Sequence, residues 1–434
     1  MFAWFSNWKK SNAAPPPAPP SGAASEPCEA AAAAAPAPPA GGSRRPLIDR
    51  EGRLAGFEFR VPVVLESRLR DGANPIVQAA HAAAVFESMR RSMQSHPVAI
   101  FTLPLSIAVR PAVLEQVPAG VMLALADGPW NDPASLDGID RLRKAGASLG
   151  GCAMPLAGGQ FVLIDGRDAP FGNLQRHADN CRRLDPRSQV IVTGLANVDD
   201  LEAALQHGAD LAAGSVDRRR SADEAVPVSA GVQRLCRLLN SVLQDEELKV
   251  LCEDLRTDID LSYRLLRFAN SPLLGLTRTA DSVEQAVMLI GRDGLYRWLM
   301  LLMLAGAPNR PSSRALQEVA LARARLLEWM APKLGAPAPA LFTTGLLSML
   351  EVVMRQPLSE ALRPLQLPLP ATQALVEHAG PWNLPLQLAQ ALERDDMQTA
   401  EALSLPFGGL DVVAAQAETA WAWASDAASI VRAP

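Results

Sequence analysis

Paired cysteines are missing from this 434-residue chain. Its five, Cys28, Cys152, Cys181, Cys236 and Cys252, are scattered and never spaced C-x-x-C, which argues against a disulfide framework and a zinc site and fits a reducing compartment. Long apolar runs are missing too. The longest uncharged one, Trp298 to Ala307, is about half of the ~20 residues that cross a bilayer, and the first residues lack the order of a secretory leader. A soluble, cytoplasmic protein is expected. Nor is there a surplus of positive charge: 41 Lys and Arg against 46 Asp and Glu leave a net −5. That supplies no field to hold a phosphate backbone, so nucleic acid is not an expected partner. Gly150-Gly151 and Gly158-Gly159 lack the spacing of a phosphate loop, and no cysteine has a recognisable catalytic setting.

What is present divides the chain. Residues 1–44 are an Ala/Pro-rich segment with nothing large to bury from Ser11 to Gly42. Ahead of it, Phe2, Trp4, Phe5 and Trp8 crowd into ten residues that close on Lys9-Lys10. That decapeptide either touches a membrane or partner, folds back onto the body, or is a plain disordered terminus. Residues 45–216 alternate short apolar runs with helical stretches. Strands are expected at Leu54 to Val64, Val98 to Leu103, Val121 to Leu125, Ser148 to Cys152, Phe161 to Ile164, Val190 to Thr193 and near Leu211. Asn74, Asp132 and Asn197 are expected to cap the starts of intervening helices. Such repeated units imply a parallel sheet, open or closed into a barrel.

After Asp217-Arg218-Arg219-Arg220, read as a solvated linker over 217–226, the spacing turns helical. Residues 227–425 are expected to be all-helical. Met300 to Leu304 fits a buried helix, Ser282-Val283-Glu284-Gln285 has the form of a capping box, and Gly291 is expected to end that helix as a left-handed cap.

Asp258-Ile-Asp-Leu261, then Leu265-Leu266-Arg267-Phe268-Ala269-Asn270-Ser271-Pro272, then Ala286 to Ile290-Gly291, resemble the HDOD domain, a helical relative of the HD phosphohydrolases. Asp258, Asn270, Ser271, Pro272 and Gly291 are its signature positions here, and their expected role is mainly structural. HD enzymes hold divalent metal with a His-Asp pair. At the matching positions stand Ser348 and Met349, and the sole histidine beyond residue 220, His378, lies near a helix end. The resemblance implies an interaction module without hydrolytic chemistry.

Pro46-Leu47-Ile48-Asp49 and Leu54-Ala55-Gly56-Phe57-Glu58, around a turn, resemble the opening of EAL domains, barrel enzymes that hydrolyse cyclic di-GMP. Such enzymes set acids and amides at strand ends to cage two metal ions. Glu58 matches the motif's glutamate. Pro62 replaces the substrate arginine, Pro104 the asparagine, Gly150 and Gly151 the paired aspartates, Leu163 the lysine and Ala196 a later glutamate, while Asp165 is retained.

The expected architecture is α/β plus all-α: a degenerate TIM-barrel-like EAL domain followed by a helical HDOD domain. No catalytic, metal or cofactor residue is assigned, Glu58 being a vestigial position. The favoured function is non-catalytic signalling through an unidentified protein partner. Cyclic di-GMP binding without hydrolysis is the alternative, and an active phosphodiesterase or a nucleic-acid regulator using Arg218 to Arg220 stands behind both.

Overall fold

The computed structural model describes residues 43–60, 75–126, 130, 132–167, 171–184, 186–220, 230–271, 278–305, 310–394 and 396–432. Eight strands close into a barrel in chain order: β1 Ser43–Asp49, β2 Leu54–Arg60, β3 Val98–Leu103, β4 Met122–Leu125, β5 Ser148–Cys152, β6 Phe161–Asp165, β7 Gln189–Leu195 and β8 Leu211–Gly214. β1 runs antiparallel to both of its neighbours, β2 and β8, and every other pair is parallel. The β1–β2 turn is tied by Gly52 N to Asp49 O at 3.0 Å and Arg53 N to Asp49 Oδ1 at 2.8 Å. Alternate residues face inward. Leu47, Ile100, Met122, Ala124, Phe161, Leu163, Ile191, Leu211 and Ala213 thus form a dry interior.

Four crossover helices follow the sequence pattern: α1 Pro75–Ser92, α2 Pro133–Lys144, α3 Phe171–Leu184 and α4 Val198–Gln206. Asp132 caps α2 by accepting from Ser135 N at 3.0 Å, and Asn197 caps α4 by accepting from Asp200 N at 2.9 Å. Asn74 and the end of the expected strand beyond Arg60 lie outside the described residues. Beyond residue 220, the regular elements among the described residues are helical. Their longer members are α5 Ala230–Leu243, α6 Leu248–Arg256, α7 Ile259–Ala269, α8 Val283–Ala305, α9 Ser313–Met330, α10 Ala338–Leu347, α11 Asn383–Arg394 and α12 Leu410–Arg432. No described helix is long and apolar enough to cross a membrane.

Among the described residues the chain divides into two compact units, one holding Ser241–Tyr296 and the other the residues up to Asn240 together with those from Arg297 on. The second unit therefore contains the barrel and the later helices together. α9 and α11 lie against β1. The register points Ile48 and Phe57 out of the barrel, yet both are fully buried. Phe57 meets Trp421 of α12 edge-on at 4.9 Å and His96 at 5.3 Å. His96 Nε2 in turn lies 2.6 Å from Glu318 of α9.

A buried ionic latch joins α4 to the segment leading into α9. Arg310, just ahead of α9, donates to Glu202 of α4 at 3.0 Å and to the Val352 carbonyl at 2.8 Å, and pairs with Asp199. Ser312 N donates to Glu202 at 3.1 Å. Gly52 accepts from Ala315 N at 3.0 Å, and a Cβ there would fall 1.5 Å from Pro311 O. Its φ of +71° independently favours glycine.

Two local expectations change. Arg219, read as part of a solvated linker, has a side chain only 9% exposed and pairs with Glu351, while Arg220 pairs with Asp200. The acidic start of α4, which complements that helix's dipole, also recruits Arg220. Gly291 takes a positive φ of 72°, but its ψ of 175° is not that of a left-handed cap, and the helix resumes through Ala305. The capping box at its start forms, with Ser282 Oγ accepting from Gln285 N at 3.2 Å. The Gln285 side chain reaches back one residue further, to Asp281 N at 2.8 Å.

Candidate functional site

Parallel strands gather their C-terminal ends at one mouth of the barrel, where loops present side chains over a rigid rim. Glu58 pairs in register with the interior residue Ile100 and so faces inward, 5% exposed. Its Oε1 lies 4.0 Å from Arg60 Nε. Asp165, at the end of β6, is clamped by Arg167: Nε lies 3.0 and 3.1 Å from its two oxygens, Nη2 2.5 Å from Oδ2, and the backbone N 3.0 Å from Oδ1. The Arg167 hydrogen bonds, helped by the charges of Arg167 and Arg60, hold the Asp165 carboxyl below its ordinary range. Each retained carboxylate thus has a guanidinium against it.

The two glycines at the aspartate positions are closed by their neighbours. A Cβ on Gly150 would fall 2.5 Å from the Phe161 ring, and one on Gly151 would fall 2.2 Å from Met154 O and 2.9 Å from the Trp130 indole. Real Cβ contacts do not approach so closely, so restoring either aspartate requires the mouth to rearrange. Gly151→Asp is therefore expected to lower stability by about 1–3 kcal/mol through overpacking, without creating metal binding. A denaturation midpoint equal to that of the parent chain would show the indole is not seated there.

The remaining positions offer no ligand set. Leu163 belongs to the apolar interior, Pro104 precedes a helical turn and gives its carbonyl to Ile107 N and Ala108 N, and Ala196 has only a methyl group. Pro62 lies outside the described residues. Gly146-Ala147-Ser148-Leu149-Gly150 spells the nucleophile-elbow pattern, but Ser148 opens β5 in helix-to-strand order, the reverse of an elbow. Among the described residues, no group of three or more His, Cys, Asp and Glu side chains is placed to hold a metal.

In the helical half, Ser348 caps α10 and its hydroxyl accepts from Arg323 Nη1 at 2.7 Å while donating to Gly345 O at 2.7 Å. Met349 is fully buried. Arg323, on α9, has a completely buried side chain whose other edge holds Glu393 in a two-point pair, Nε to Oε1 being 3.0 Å. Burial disfavours its charge, but the carboxylates of Glu393 and Asp217 outweigh that and keep its pKa above the ordinary value. Arg394 binds Asp217 from Nε at 2.7 Å and gives its carbonyl to Arg45 at 2.9 Å. Arg323, Glu393, Arg44, Ser88, Glu418 and Trp421 border a cavity of about 50 Å³. Burial, partly offset by Glu418, pushes Arg44 down to about 10.

The signature positions sit at helix ends. Asp258 caps α7 by accepting from Leu261 N at 3.1 Å. Asn270 closes α7, its side chain clasping Ala280 through both amide atoms at 2.9 and 2.7 Å. Ser271 N donates to Phe268 O at 3.1 Å, Gly291 kinks α8, and Pro272 lies outside the described residues. His378 is an exposed left-handed residue ending a helical turn. Trp130 and Arg323 escaped the sequence reading. The one sequence sign of Arg323 is a charge inside the apolar stripe Leu316, Val319, Ala320, Leu327 and Met330.

Residues 227–367 match the family model described as the HDOD domain. A curated relative, the uncharacterized protein YuxH of Bacillus subtilis, is 28% identical over 170 residues, covering 38% of this chain and 42% of that protein. The cyclic di-GMP phosphodiesterase CdgJ of Vibrio cholerae is 29% identical over 194 residues, covering 44% of this chain and 45% of its own. The matches span less than half the length of either relative. A solved EAL domain protein from Listeria monocytogenes superposes with a TM-score of 0.32 at 11% identity, over 41% of this chain and 86% of that one.

Proposed function

We propose that this chain, which carries an HDOD domain at residues 227–367 behind an EAL-like eight-stranded barrel, is a signalling protein that cleaves no nucleotide and acts by binding another protein through its helical half. The carrying observation is the filled barrel mouth. Two divalent ions need a cage of oxygen ligands, both to be held and to activate water. Of the positions that the EAL resemblance assigns, Glu58 and Asp165 remain; Arg167 clamps Asp165, and the Arg60 guanidinium lies 4.0 Å from Glu58. Trp130 and Phe161 fill the space that side chains at Gly151 and Gly150 would need. These residues do not fit a metal pair.

The helical half supports the same reading. Where the HD resemblance puts a metal-binding pair, Ser348 holds the Arg323 guanidinium, itself a buried cation with a carboxylate opposite. A fixed side-chain charge organises the packing there. What persists in both halves is the apolar framework, which suits recognition by shape.

The full chain, incubated with cyclic di-GMP and Mg²⁺ or Mn²⁺, is expected to release no linear dinucleotide above the buffer blank. Enzyme-like turnover that disappears in Glu58→Gln sinks the reading.

A further inference from the structure

We propose that the cavity beside Arg44 binds a short-chain monocarboxylate, whose charged end pairs with the Arg44 guanidinium while its carbon tail lies among alanines. The site is independent of the barrel mouth and of the function proposed above.

Five elements of one compact unit border this cavity: β1, α1, α9, α11 and α12. Its walls are mainly apolar, built from Ala322, Leu326, Ala389, Ala417 and Trp421. The volume is about 50 Å³. A water needs about 10–15 Å³ of such space, so the cavity suits a molecule of about four or five non-hydrogen atoms. A mostly apolar hollow with a few convergent polar groups, set where different parts of a fold meet, is the ordinary form of a small-molecule site.

Arg44 supplies the charge. Three residues before the interior Leu47, it faces out of the barrel, and its Cζ lies 5.1 Å from the centroid of the Phe57 ring. Its Nη2 is buried and has no hydrogen-bond partner among the described residues. Burial lowers its pKa to about 10, so it keeps its charge at neutral pH. The other charged groups around the cavity are matched. Glu393 takes the two-point pair from Arg323. Glu418 accepts from Ser88 and from Arg91 at 3.2 Å, and acts on Arg44 by charge alone. One positive charge is left over, and a buried donor of this kind costs free energy until an acceptor meets it.

The walls select among anions. Phosphate needs donors around all of its oxygens, and here it would meet the carboxylates of Glu393 and Glu418. A carboxylate needs donors on one side only, where a guanidinium makes its strongest hydrogen bonds. Its carbon end suits the alanine and tryptophan walls.

Titration calorimetry of the full chain with sodium acetate and sodium propionate, at fixed ionic strength, tests this. One anion is expected to bind per chain with a Kd on the order of 1 mM or tighter, and to raise the thermal midpoint. Arg44→Met, which keeps an unbranched stem without the charge, is expected to weaken binding by about tenfold or more. Ala417→Leu fills the cavity, leaves Arg44 in place and is expected to abolish binding. Circular dichroism reads whether each variant is folded, and either one alone locates the site. No saturable heat from either carboxylate up to about 50 mM in the parent chain overturns the proposal. Equal binding of phosphate or chloride also overturns it, by making Arg44 a general anion contact, as does binding unchanged in Arg44→Met or in Ala417→Leu. None of these outcomes bears on nucleotide turnover, so this site and the non-catalytic reading fail separately.

Discussion

A chain ended at Arg220, carrying the barrel strands and their crossover helices alone, is expected to be insoluble or to unfold without a cooperative transition. Ile48 and Phe57 point out of the barrel and are buried by the later helices that cover β1 and β2. Exposing two such side chains forfeits about 1.5–3 kcal/mol each. Loss of Arg310 and Arg394 leaves Glu202, Asp199 and Asp217 without those cations, and loss of Glu351 leaves Arg219 without its carboxylate. Domains are stable by only about 5–15 kcal/mol, so these losses together are comparable to the whole. A monomeric fragment with a sharp thermal transition near that of the full chain would show that the barrel is complete without the later helices.

Arg310→Ala is expected to cost about 3–5 kcal/mol, because it leaves two carboxylates buried with no cation between them. The Arg310 side chain is 0% exposed, and those of Asp199 and Glu202 are 9% and 10% exposed. Replacing all three together, Arg310→Met with Asp199→Asn and Glu202→Gln, is expected to cost less than the single change, since no unpaired charge remains. Chemical denaturation of the three chains, parent, single and triple, checks both statements. A single-substitution cost below about 1 kcal/mol would place the latch in solvent, where ion pairs contribute little.

The barrel strands were readable because their apolar runs are short, mostly rich in β-branched residues and punctuated by turn residues; Val98–Leu103 lies as expected, and so does Ser148–Cys152, which has no β-branched residue. Asp132 and Asn197 were readable as caps because a cap is a local bond, closed within three residues. Glu58 and the replaced positions could be placed through a family resemblance. The structure adds what fills the space they left. The link between Trp130 and Gly151 spans a strand and a helix, and that between Arg323 and Glu393 spans 70 residues; no local pattern encodes either. Arg219 was misread for the same reason. Three consecutive arginines resemble a solvated run until Glu351, 132 residues away, folds against Arg219.

Gly291 shows the limit from the other side. Its sequence signal, a glycine after an amphipathic helix, correctly marks a backbone that needs positive φ, yet the chain uses that freedom to kink and continue. Ending a helix and bending one place the same demand on the residue, and the choice is made by what packs beyond it.

We propose that fixed side-chain charge and aromatic bulk stand in the barrel mouth where the EAL resemblance puts metal ions. Titration of the full chain with Mn²⁺, followed by the loss of the free-ion paramagnetic resonance signal, tests it most directly. The account predicts no saturable binding below about 1 mM, and the same weak background in Glu58→Gln. Two ions bound at micromolar concentration, with one or both lost in Glu58→Gln, would contradict it.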